Sequence, residues 1–261
     1  MSVEAASHGA PGQKVSVQFE SIGQQNECYV VGMWTFLVTE IMFFGALFLA
    51  YSLNRYYNQE VFFEAHKHLD VGWGALNTMI LLTSSLTMAL CVHAGQTGNR
   101  RRQINFMCIT ILFAFGFLGV KTVEYKSKFE HNLFPGPSFR WETKEELTKK
   151  LKAGPAVIER AEPTSAEASA PSAYEKATGS SGRDFSDKAQ MFFSLYFAMT
   201  GLHGIHVIVG ILIMGAMVIM LKIDHPAMRD YMPTELVGLY WHFVDIVWIF
   251  LFPLYYLIPH G

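Results

Sequence analysis

Charge is what this sequence has least of. Only 16% of its 261 residues are Asp, Glu, Lys or Arg, against roughly 25% in a soluble globular domain, while 51% are hydrophobic. With a mean hydropathy of +0.23, the composition points to a membrane protein. The net charge of −2 and the lack of a basic patch interleaved with aromatics leave no case for a nucleic-acid partner. Cysteine is nearly absent too: Cys28, Cys91 and Cys108 show no Cys-x-x-Cys spacing, which argues against a disulfide framework and a thiolate metal site. The first 27 residues are polar and lack the apolar core of a cleavable secretory signal, so the first membrane helix is expected to act as its own insertion signal. There is no internal repeat of the kind that builds inverted-repeat transporters. No nucleophile–base set, phosphate-binding glycine loop or complete haem or copper site is recognisable.

What is present is a set of long apolar runs. Five approach or exceed the ~20 residues needed to cross the hydrocarbon of a bilayer: about Tyr29 to Leu53, Val71 to Val92, Ile104 to Val123, Met191 to Leu221 and Leu236 to Ile258. The expected fold is therefore all-α, a polytopic membrane protein with five transmembrane helices in a bundle. Residues 1–28 form an N-terminal segment and 29–125 carry helices one to three. Residues 126–188 form a long loop, and 189–261 carry helices four and five. Within the loop, Glu142 to Lys152 reads as a short charged helix, and Pro163 to Arg183 is rich in Ala, Ser, Pro and Gly, a composition that buries too little apolar surface to order itself.

Positive charge in short loops orients such a protein. Arg100, Arg101 and Arg102 join the second and third helices, and Lys222 and Arg229 the fourth and fifth. The expected topology has the N-terminus in the cytoplasm and the C-terminus and the 126–188 loop outside.

Ionisable groups inside a span are expensive and seldom face lipid, so the few present are the candidate functional residues. Glu40 lies about ten residues into the first run, roughly 15 Å deep at 1.5 Å per residue, near the midplane. His203 and His206 share a face of the fourth run by their i, i+3 spacing, as do His242 and Asp245 in the fifth. Depth allows Glu40 to meet either His203 or His206. Two readings stand: a protonatable site or relay, and a carboxyl–histidine contact that only holds helices together. His203 and His206 with His242 and Asp245 have ligand types suited to zinc or iron, but they complete no four-ligand motif and differ in expected depth. Asn77, Ser84 and Ser85 in the second run, and Gly201 and Gly204 with Gly210 in the fourth, are read as helix-packing positions, since small and hydroxyl residues let membrane helices approach closely. Gly116 and Gly119 in the third run are read likewise. Lys121 and Glu124 near the outer boundary are read as an interfacial ion pair or snorkelling charges.

Several strings resemble the third subunit of the haem–copper respiratory oxidases. Gly32-Met33-Trp34 through Thr39-Glu40-Ile41-Met42-Phe43-Phe44 resembles its first block, which carries a membrane-buried glutamate. Leu76-Asn77-Thr78 with Ser84-Ser85-x-Thr87, Glu124-Tyr125, Thr200-Gly201-Leu202-His203-Gly204-Ile205-His206-Val207 and Trp241-His242-Phe243-Val244-Asp245-Ile246-Val247-Trp248 follow in the family's order across all five helices. The resemblance implies a subunit with no redox centre or cofactor of its own, in a bacterial aa3/caa3-type cytochrome c oxidase of the cytoplasmic membrane. Haem a, haem a3, CuB and CuA would lie in the other subunits. It further implies subunits I and II as partners, bound phospholipid in a lipid cleft, and support of sustained proton uptake or oxygen access. Glu40 matches the family's carbodiimide-reactive glutamate. His203, His206, His242 and Asp245 match other polar positions near that cleft. The sequence departs from the pattern in three ways. The two N-terminal helices of the seven-helix form are missing, Lys121 stands where glutamine is expected, and the loop after Tyr125 is an insertion, assigned to contacts with cytochrome c or another respiratory complex. Alternatives are the equivalent subunit of a quinol oxidase, an accessory subunit of nitric oxide reductase and, from a different class, a stand-alone proton or solute transporter.

Overall fold

The computed structural model describes residues 18–66, 69–130, 182–228 and 230–257. Among them are six α-helices and no strand: α1 (Ile22–Tyr57), α2 (Gln59–His66), α3 (Val71–Gln96), α4 (Arg100–Glu130), α5 (Gly182–Lys222) and α6 (Met232–Tyr256), with one 3₁₀ turn at Pro226–Met228. Five helices, all but α2, are long and apolar enough to cross a membrane, as expected. They outrun the apolar stretches that announced them. Helix α1 begins at Ile22 rather than near Tyr29, and α4 runs to Glu130 rather than Val123. The hydrocarbon fixes how much of a helix must be apolar, not where the hydrogen-bonded ladder stops. The expected helix at 142–152 and the low-complexity stretch at 163–181 lie outside the described residues, as do residues 1–17.

Local chemistry sets the helix ends. Ser21 accepts the Gln24 N–H at 3.2 Å and Asp70 accepts the Gly72 N–H at 2.9 Å, each satisfying a donor that the first helical turn leaves unpaired. Helix α3 closes with Gly98 at φ 70°, the Gly98 N–H on the Gly95 carbonyl and the Asn99 N–H on the Ala94 carbonyl. This double closure needs a left-handed residue. Helix α5 ends in a similar way, with the His225 N–H on the Met220 carbonyl, but its left-handed residue is Asp224 at φ 57°. Arg100, the first residue of α4, pairs with the Asp224 carboxylate and with the Leu221 carbonyl. One guanidinium thus closes α5 and fixes it to the start of α4.

Helices α3 and α4 form an antiparallel hairpin. Helix α6 packs on α3 and α5, and α5 packs on α4, so these four helices close a ring. Helix α1 lies outside the ring against α5 and α6, with the short α2 against α5. Helix α2 was not anticipated. Its Val61, Phe62 and Ala65 are buried, and Phe62 meets Tyr51 and Phe192 edge-on at 5.4 and 5.1 Å. The outward-facing sides remain apolar, with Trp34, Met42, Leu112, Leu212 and Phe250 exposed.

Helix α6 is the most buried of the spans. Its glycine at 238 and the glycines at 74 and 210 allow the closest approaches. An added Cβ at Gly210 would stand 2.7 Å from Trp241, at Gly74 2.8 Å from Phe252, and at Gly238 2.8 Å from Val92. The expectation of close packing at Gly201 and Gly204 is corrected: a Cβ there meets nothing within 4 Å, and the same holds for Gly116 and Gly119. The signature glycines of α5 do not serve this chain's own helix contacts, whereas Gly210 does. Gly210→Val should therefore displace Trp241 and cost about 1–3 kcal/mol, the usual toll of overpacking, read as a lower melting temperature. Gly204→Ala should leave the melting temperature of the isolated chain nearly unchanged.

Candidate functional site

The buried polar groups lie at several levels of the ring, and most pair across a helix interface. Glu40 of α1 meets His206 of α5 at 3.1 Å between Oε2 and Nε2. It is His206, not His203, that takes the carboxyl. The imidazole Nδ1 lies 2.8 Å from the Leu202 carbonyl. A carbonyl can only accept, so Nδ1 carries a hydrogen. The Nε2–Oε2 contact then holds a single proton, either on the carboxyl with a neutral imidazole or on the imidazole beside a carboxylate. The two forms have the same net charge. Exposures of 18% and 20% place the pair at the seam where α1 leans on the ring, rather than deep in the core. Phe44 covers the His206 ring edge-on at 5.4 Å, and the Tyr240 hydroxyl donates to the His206 carbonyl at 3.0 Å.

His242 of α6 hydrogen-bonds Ser85 of α3 at 2.7 Å through Nδ1. One residue away, the Trp241 indole N–H donates to Ser84 at 3.0 Å, and farther along the Trp248 N–H donates to Thr78 at 3.2 Å. Ser84 and Ser85 thus act as hydrogen-bond partners for α6, a more specific role than the packing expected of them. Asn77 and Asp245 are fully buried, and His203 is wedged edge-on against Phe117 at 5.5 Å and lies 5.3 Å from Trp248. The Ser85 hydroxyl, bonded to His242, also lies near the Asp245 carboxyl. With His206 committed to Glu40 and His242 to Ser85, the four residues considered for a metal are not brought together. No cluster of three or more metal-ligating side chains occurs among the described residues.

A third polar group lies toward the other ends of α4 and α6. Lys121 Nζ donates to Glu124 Oε2 at 2.8 Å and to the Tyr256 hydroxyl at 2.9 Å. Tyr196 donates to Glu124 Oε1 at 2.8 Å, as does Tyr256. The ammonium stands 4.5 Å above the Trp248 ring, a cation–π contact. Side-chain exposures of 8% and 5% correct the snorkelling reading: this is an enclosed ion pair. Two unpaired charges in a low-dielectric interior would be prohibitive, and the pairing with extra tyrosine donors offsets that cost. Sequence reasoning missed Tyr196, Tyr256 and Trp248. Their signal was an aromatic residue bearing an O–H or N–H inside an apolar run, which must find an acceptor when buried.

The family model for cytochrome c oxidase subunit III matches residues 20–131 and 175–259, most of the chain and all five spans. The chain belongs to that family. Among its relatives, cytochrome c oxidase subunit 3 of Pylaiella littoralis is 25% identical over 228 residues, covering 85% of this chain and 64% of its own length. Quinol oxidase subunit 3 of Bacillus spizizenii is 27% identical over 261 residues, covering 99% of both chains. The heme-copper oxidase subunit I+III of Aeropyrum pernix is 26% identical over 232 residues, 87% of this chain and 22% of its own. This chain thus spans less than two thirds of the algal subunit and nearly all of the Bacillus one.

The enclosed pair of this subunit III gives an asymmetric expectation. Lys121→Met leaves Glu124 with two tyrosine donors, whereas Glu124→Met leaves the ammonium with one hydroxyl and the aromatic faces. Breaking a buried pair from one side costs about 3–5 kcal/mol. Glu124→Met should fall at that level and Lys121→Met clearly below it, as thermal unfolding of the two variants in detergent will show.

Proposed function

We propose that this chain is the non-redox third subunit of a bacterial aa3/caa3-type cytochrome c oxidase, seated beside catalytic subunit I and sustaining its proton uptake during turnover. The observation that carries the reading is the single-proton Glu40–His206 contact in the middle of the spans. A proton can pass between Oε2 and Nε2 there without any change of net charge in the bilayer, so the pair can hold a proton at little electrostatic cost and would hand one on only with uptake of another in its place. The family match supports the oxidase assignment, and the Aeropyrum relative, whose name joins subunits I and III in one chain, supports the place beside subunit I. In this reading haem a, haem a3, CuA and CuB belong to the other subunits and supply the oxygen chemistry. This chain's polar side chains bind helices and lipid instead. The three arginines that open α4, Arg100–Arg102, support a cytoplasmic N-terminus in the inner membrane.

The full-length match to a Bacillus quinol oxidase subunit favours a second reading, in which the donor is a quinol. Purifying the complex through a tag on this chain separates the two. An a-type reduced-minus-oxidised spectrum with oxygen uptake driven by cytochrome c supports the first reading, and uptake driven only by a quinol supports the second. A haem-free preparation would overturn both. Within the active complex, Glu40→Ala should leave the haem spectrum intact while turnover slows or decays faster under sustained catalysis. Unchanged rate and lifetime would reduce the Glu40–His206 contact to helix packing.

A further inference from the structure

The ring of α3, α4, α5 and α6 contains polar side chains that no described residue satisfies. The amide of Asn77, both ring nitrogens of His203, both carboxyl oxygens of Asp245 and the Tyr255 hydroxyl are buried without a hydrogen-bond partner. Native interiors rarely leave such atoms unpaired. His203 lies against Trp248, with its ring 5.3 Å away. Asp245 precedes Trp248 by three residues and is on the same face of α6. Asn77 is on the stretch of α3 that Trp248 bonds, directly preceding Thr78, which takes the indole N–H at 3.2 Å. Lys121 Nζ sits 4.5 Å from the same ring, and helix α1, with Glu40, has no residue among these.

The mixture of groups selects the ligand. Asn77 donates and accepts, a neutral imidazole does one of each, and a carboxyl offers two oxygens. The nearby ammonium of Lys121 disfavours a cation, and the Asp245 carboxyl disfavours an anion. What suits all of them is a small neutral molecule that both donates and accepts. Buried water does so, making about three hydrogen bonds to groups otherwise left unpaired. We propose that the bundle core around Trp248 is a binding site for ordered water, held by Asn77, His203 and Asp245.

The test is a map of the native membrane complex at a resolution that shows ordered water. Density within hydrogen-bond distance of a His203 ring nitrogen and of the Asp245 carboxyl is the expected result. Ordered side chains with no such density, or direct bonds among the three, would overturn the proposal. Thermal unfolding gives an independent reading. In a hydrated core His203→Phe and Asp245→Leu strand the remaining partners and lower the melting temperature, while Asp245→Asn stays near the native value. In a dry core the two apolar replacements remove unpaired groups and raise it. Where those variants do not assemble, the map of the native complex decides.

Discussion

The hydrocarbon of a bilayer offers a polar group no partner, so the donors and acceptors in a span must be satisfied within the protein or by water that it encloses, and helix α6 supplies most of the interhelical protein partners here. Along one helix, Trp241, His242 and Trp248 bond to α3, Tyr240 to α5 and Tyr256 to α4. Gln103 of α4 donates to Thr234 at 2.8 Å. The Tyr51 hydroxyl of α1 donates at 2.6 Å to the carbonyl of Leu254, one of the last-turn acceptors that a helix cannot satisfy for itself. Each neighbouring span is tied to α6 by at least one directional bond.

These bonds matter more for register than for raw stability. Interhelical hydrogen bonds in membrane proteins average only ~0.6 kcal/mol, because the unfolded chain in the membrane also finds partners. Dispersion contacts within the aromatic core, where Tyr51, Phe62, Phe192, Tyr196 and Tyr255 pack mostly edge to face, add up over many atom pairs. Apolar packing of that kind tolerates sliding, however. A tryptophan N–H opposite a serine does not, so the polar pairs decide which rung of α6 faces which rung of α3. That register in turn brings Trp248 under Lys121 and Tyr240 beside His206, and the position of the Glu40 seam follows from it.

The five spans were legible because hydrocarbon thickness imposes an apolar length, and Glu40 stood out because a carboxyl in such a run demands a reason. Which histidine would meet it was not legible. His203 and His206 are equivalent by depth and spacing, and the choice depends on where α1 leans against the ring, a tertiary fact. For Lys121 the ion pair with Glu124 was legible but its enclosure was not: closeness to a span end suggested the interface, and Tyr196 and Tyr256 arrive from α5 and α6 to enclose it. The glycines of α5 look alike in sequence, yet among the described ones only Gly210 lies beneath a tryptophan. Helix α2, eight residues long, is too short to show a periodic pattern in the sequence.

The central claim is that the intramembrane polar side chains act as specific pairs across helix interfaces, with Glu40 and His206 as the pair that bears on function. A double-mutant cycle tests it most directly: Glu40→Ala, His206→Ala and the double variant, each read as melting temperature in the intact complex. If the pair is real, each single change removes the same contact and the double variant is little worse than either one. Losses that simply add would show that the two residues act independently and would contradict the claim.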